Sequence, residues 1–135
     1  MAENKKSIIT QHQKRVKIIE ILYQYYLQQP TTSDFEDYLT EISNGNNEAQ
    51  IKTVREILWY EKNLIKKIEK HLKSGWTFNS LKPTEKAVLI LAAYEIFHTN
   101  TEKHIIINEA IILAKHYCDN NVYKYINGVL DKINK

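Results

Sequence analysis

The chain has 135 residues, a length that suits one domain burying roughly two thirds of the surface its unfolded form would expose. A single cysteine, Cys118, excludes an internal disulfide, and His12, His71, His98, His104 and His116 form no i, i+4 ligand pair, so neither a metal nor a cofactor is expected. The net charge of +3 is mild support for a polyanionic partner. The first residues are polar, and the longest apolar run, Ala87 to Tyr94, is far short of the roughly 20 residues that cross a bilayer, so a cytoplasmic protein without membrane contact is expected.

With only three glycines and two prolines there are few breaks, and the chain reads as helices throughout. The first is expected from about Ser7 to Gln28, stopped by Pro30. At about 100° per residue, Ile8, Ile19, Leu22, Tyr23 and Tyr26 share one arc, and Lys14, Lys17 and Tyr25 share another. Arg15 falls inside the apolar arc, so it either leaves the core near the helix start or needs a partner there. A short helix is expected over 33–42, with Ser33 as its N-cap and Glu36 in capping-box position. Asn44–Asn47 is a loop.

A long helix is expected next, from about Glu48 to Leu72, with a stripe of Ile51, Val54, Leu58, Ile65, Ile68 and Leu72 that Glu61 interrupts. Gly75 suits a left-handed helix end. Trp76–Ser80 is a short, aromatic connector. Pro83 and Glu85 mark the start of a helix to about Phe97 that is apolar nearly all round and hence central. Two further helices are expected at about 107–117 and 122–134. The fold class is therefore all-α, a compact single domain of two packed three-helix units, about 5–74 and about 76–135.

Charge is uneven. Residues 1–17 carry Lys5, Lys6, Lys14, Arg15 and Lys17 against Glu3 alone, and residues 52–73 carry seven basic and three acidic groups. The rest of the chain is slightly acidic. No nucleophile–base pair, glycine-rich phosphate loop or metal motif is present, so no catalytic residue is assigned and an enzyme is not expected.

Three motifs in the C-terminal half stand in order: Glu85-Lys86-Ala87-Val88-Leu89 continuing through Ala93-Tyr94-Glu95-Ile96; Ile107-Asn108-Glu109-Ala110-Ile111 with Leu113-Ala114-Lys115; and Lys124 through Lys132, reading KYINGVLDK. Together with Arg15 and Leu22-Tyr23-Gln24, they resemble the NusB family of transcription antitermination factors. The resemblance implies an all-helical RNA-binding protein of two three-helix subdomains. It also implies partners: the boxA-type single-stranded RNA of ribosomal RNA transcripts, the small-subunit ribosomal protein NusE, and the RNA polymerase elongation complex, which is helped past terminators. Homodimers also occur among such relatives.

Unpaired RNA is held by cations on phosphates and by aromatic faces on bases. The RNA-binding candidates are Lys5, Lys6, Lys14, Arg15, Lys17, Lys124 and Tyr125, where Tyr125 is either a stacking platform or core. The protein-partner candidates implied by the resemblance are Glu85, Tyr94 and Glu95, where Glu95 is either a partner contact or a buried ion-pair member. The chain departs from the family in its thinned arginine cluster, His12-Gln13-Lys14-Arg15. It also has Ile90 where many relatives carry arginine, Ile112 where many carry glutamate, and Asn121-Val122 in place of a common Asp-Ser pair. The thinning keeps a second reading open, a helical protein–protein adaptor with weak or lost RNA binding. A NusB-like domain of an RNA methyltransferase would need a glycine-rich α/β domain, which three glycines exclude.

Overall fold

The computed structural model describes residues 10–135, so Lys5, Lys6, Ile8 and the expected helix start at Ser7 lie outside the described residues. The described residues are all-helical. They form α1 (Gln11–Gln28), α2 (Thr32–Ile42), α3 (Glu48–Trp59), α4 (Glu61–Glu69), a 3-10 turn (Phe78–Ser80), α5 (Pro83–His98), α6 (Lys103–Tyr117) and α7 (Val122–Lys132).

Local chemistry sets the ends. Thr10 caps α1: its hydroxyl accepts from the Gln13 N–H, and the Gln13 amide oxygen accepts from the Thr10 N–H, each at 3.0 Å. Gln29 turns left-handed at φ +48° and Pro30 follows, which stops the helix. For α2 the cap is Thr31 rather than Ser33, because the Thr31 hydroxyl accepts from the Asp34 N–H at 3.1 Å and the helix starts one residue earlier than expected. Pro83 opens α5, and the Glu85 carboxylate accepts from the Lys82 N–H at 3.0 Å. Gly75 sits at φ +87°, the left-handed geometry expected there.

Three expectations need correction. The long helix over 48–72 is two, parted at Tyr60 (φ −94°, ψ 5°) without glycine or proline. The path stays helical across the break, since Tyr60 N–H reaches Glu56 O at 3.1 Å and Leu64 N–H reaches Tyr60 O at 3.0 Å. The expected helix at 107–117 begins at Lys103, where Glu102 O accepts from the Ile105 and Ile106 N–H groups. The last helix ends at Lys132 instead of 134.

Helix α5 is the hub, packed against α1, α4, α6 and α7. Every residue from Lys86 to Tyr94 is buried, as a helix without a polar face requires. Ile19 and Leu22 of α1, Val54 and Ile57 of α3, Leu64 and Ile68 of α4, Ile106 of α6 and Ile126 and Leu130 of α7 join it in one core. Each such side chain contributes on the order of 1.5–3 kcal/mol by leaving water. Of the connector's two aromatics, Phe78 is buried and Trp76 is 47 % exposed. The Lys86 ammonium lies 5.6 Å from the centre of the Tyr26 ring and 5.9 Å from that of Phe78, which is how a buried lysine is accommodated on this face. Among the described residues no helix is long and apolar enough to cross a membrane.

Candidate nucleic-acid interface

Arg15 and Glu95 lock α1 to α5. Arg15 Nη2 donates to Glu95 Oε1 at 2.7 Å and Nε donates to Oε2 at 2.9 Å, a forked pair. A second carboxylate, Glu109 of α6, lies 3.7 Å from Nη1. Hydrogen bonding to Glu95 holds the guanidinium pKa above its ordinary value. Both candidates are thus engaged with each other: Arg15 is 8 % exposed, and its fork faces the Glu95 carboxylate rather than solvent.

Tyr94 is also turned inward. Its hydroxyl donates to Glu56 of α3, and burial, helped by that carboxylate, pushes its pKa well above the usual tyrosine value. Its ring stacks on His98 at 5.4 Å, and His98 stacks on Tyr60 at 4.1 Å. Glu85 is half-buried at the α5 N-terminus, where it caps the helix.

Lys14 lies at the mouth of a groove between α1, α3 and the end of α5, beside Gln50, Thr53, Glu95 and Thr99. Lys17 is exposed and pairs loosely with Glu20 at 3.6 Å, an interaction worth about 0–1 kcal/mol. On the neighbouring face residues of α1 and α6 form a second groove, lined by His12, Val16, Ile112, Lys115 and His116. His12 Nδ1 is 3.0 Å from Glu109. The Lys115 ammonium lies 4.6 Å from the centre of the Tyr123 ring, which brings the first turn of α7 up against α6. Lys124 follows and is exposed, with no ion-pair partner among the described residues.

Tyr125, the aromatic candidate, goes elsewhere. Its ring lies 5.7 Å from that of Trp76 in the connector. Its hydroxyl is buried facing the Lys73 backbone, without a partner at hydrogen-bond geometry, and burial raises its pKa. Lys115, His116 and Tyr123 are the residues that sequence reasoning passed over. The signals were present: Lys115 closes the Leu-Ala-Lys motif and Tyr123 immediately precedes Lys124.

Among the described residues no group of acidic, histidine and cysteine side chains is placed to hold a metal ion. Against this geometry, the family model described as the NusB family matches residues 12–135. The chain belongs to the NusB family. Its NusB relatives include the transcription antitermination protein NusB of Campylobacter concisus, 43 % identical over 92 % of this chain and 95 % of that protein. The NusB of a Sulfurovum species is 37 % identical over 93 % of this chain and 98 % of that protein. Among solved structures, Thermotoga maritima NusB superimposes with a TM-score of 0.78 at 27 % identity, covering 93 % of this chain and 90 % of that one. A NusB chain from a complex of the antitermination factors NusB and NusE with double-stranded RNA superimposes with a TM-score of 0.72 at 26 % identity, covering 93 % of this chain and 97 % of that one.

Proposed function

We propose that this chain is a transcription antitermination factor that binds boxA-type RNA of ribosomal RNA transcripts together with NusE, and helps RNA polymerase pass terminators. It acts in the cytoplasm as one domain of two helical units, about 5–74 and about 76–135, by binding and without bond-making chemistry. Family membership supports the role, and the solved relative carrying both NusE and RNA supports the partners.

The observation that carries the reading for this chain is that Lys115 of α6 both lines the groove shared with His12 and Val16 of α1 and lies over the Tyr123 ring of α7. It sets the groove-lining His12, Lys115 and His116 beside the first turn of α7, where Lys124 is exposed. Cations spaced along such a groove meet phosphates, and Tyr123 is the aromatic side chain at hand for a base. Lys14, which lines the neighbouring groove, and exposed Lys17 add charge elsewhere on α1, and Lys5 and Lys6 precede it in the chain. In this arrangement Arg15 is a positioning residue that fixes α1 on α5, and Tyr125 anchors α7 to the connector. Glu85 is the candidate that stays nearest the surface for a protein partner, since Tyr94 and Glu95 hold internal contacts.

The test is a gel shift of boxA-type RNA with this chain, with NusE of the same source, and with both. The expected result is a ternary complex tighter than either binary one. Absence of any shift at low salt with NusE present would return the chain to the adaptor reading.

A further inference from the structure

The second basic segment of the chain lies outside the groove just described. Along α3 and α4, Arg55, Trp59, Lys62, Lys66 and Lys70 follow at steps of four, three, four and four residues. The helical hydrogen bonds continue through Tyr60, so this spacing puts them on one stripe. All five are exposed, and Trp59 is 84 % exposed. Beside it, Tyr60 is 40 % exposed and braced from behind by its stack on His98.

The acidic groups of the same segment each accept from a donor elsewhere in the fold. Glu56 accepts from the Tyr94 hydroxyl, Glu61 from the Tyr26 hydroxyl at 2.7 Å, and Glu69 from the Phe78 N–H at 2.7 Å. Three carboxylates that would otherwise pair with the lysines are thus engaged by neutral donors, while Glu56 and Glu69 themselves remain exposed. Among the described residues Lys62, Lys66 and Lys70 have no ion-pair partner, whereas Arg55 is held by Glu36 at 2.8 Å. The stripe from Trp59 to Lys70 therefore carries three lysines without ion-pair partners over about 16 Å of helix, with a large exposed ring at its upper end.

The geometry points to a second binding surface for an unpaired polynucleotide strand, with Trp59 and Tyr60 as stacking platforms and Lys62, Lys66 and Lys70 as phosphate contacts. A protein interface would centre on contiguous apolar surface, and Trp59 is instead flanked on its stripe by charged residues. Stacking on an exposed ring beside a row of cations is the chemistry of single-strand binding without sequence preference.

The experiment measures fluorescence anisotropy of a labelled oligo(U) strand lacking any boxA sequence, with the full chain and no NusE, across a salt series. Trp59→Ala is expected to weaken binding about tenfold at unchanged salt slope, and Trp59→Phe to restore most of it. Lys62→Gln with Lys66→Gln is expected to lower the salt slope by about 1.4, at roughly 0.7 per phosphate contact on a single strand. All of these side chains are exposed, so circular dichroism should be unchanged. Wild-type binding and slope in both sets of variants would overturn the proposal, as would displacement of the strand by poly-glutamate at equal charge, which would assign the stripe to an acidic protein. Loss confined to Lys14→Gln with Lys115→Gln would overturn it too while leaving the α1–α6–α7 reading standing.

Discussion

Arg15 and Glu95, eighty positions apart, meet in a forked ion pair at 2.7 and 2.9 Å that joins the first helix to the central one. Arg15→Ala is expected to destabilise the fold by about 3 kcal/mol, because it leaves the Glu95 carboxylate largely buried with no counter-charge. Urea unfolding measures this. Removing both partners in Arg15→Met with Glu95→Leu should cost clearly less than Arg15→Ala, and a double variant as unstable as the single one would contradict the account. Where Arg15→Ala remains folded, its RNA salt slope should equal that of the wild type, since the guanidinium is committed to carboxylates.

Tyr123 and Tyr125 are expected to separate in function. Tyr123→Ala should weaken boxA-type RNA binding in the presence of NusE about tenfold at temperatures where the variant is fully folded. Tyr125→Ala should lower the melting temperature by several degrees through lost packing on Trp76, with RNA affinity preserved below the transition. Thermal melts and anisotropy on the same samples check both.

Alkali should destabilise the protein through Tyr26. Burial, with the Glu61 carboxylate, raises its hydroxyl pKa far above the ordinary value of about 10. The folded state therefore holds this proton where the unfolded chain releases it. The contribution is fully present below the unfolded pKa and declines as pH rises above it. Stability should fall from about pH 10 upward, and Tyr26→Phe should flatten that fall. Denaturant midpoints across alkaline pH test this, and an equally steep loss in Tyr26→Phe would contradict it.

Cys118 should be a slow thiol. Burial raises its pKa, with Glu85 and Asp119 adding to the rise and Thr84 opposing it. Since the thiolate is the reacting form, alkylation by iodoacetamide at mild alkaline pH should proceed more slowly than for an unfolded control of the same chain. Equal rates would contradict the environment described.

The helical architecture was readable because its signals are local. Pro83, Gly75 and the all-round apolar run of α5 each act within a turn or two of chain. The site was less readable because its decisive contacts are not. The place of Arg15 in the apolar arc called for a partner, but that partner, Glu95, lies eighty positions away in the chain. Tyr123 and Tyr125 are two residues apart, about 200° around a helix, so the same motif sends one ring to Lys115 and the other to Trp76. The break at Tyr60 had no glycine or proline to mark it, and its backbone settles where Tyr60 stacks on His98. The charge imbalance of residues 52–73 was plain, but which donor each carboxylate meets became visible only with Tyr26, Phe78 and Tyr94 in place.

The account rests most on Lys14 of α1, Lys115 of α6 and Lys124 of α7 contacting RNA phosphates. The direct measurement is the salt dependence of boxA-type RNA binding with NusE present, comparing wild type with Lys14→Gln, Lys115→Gln and Lys124→Gln combined. The slope should fall by about 2, at roughly 0.7 per lost phosphate contact, with affinity at low salt at least about tenfold weaker. A triple variant that folds and binds NusE normally, yet keeps the wild-type slope and affinity, would contradict it.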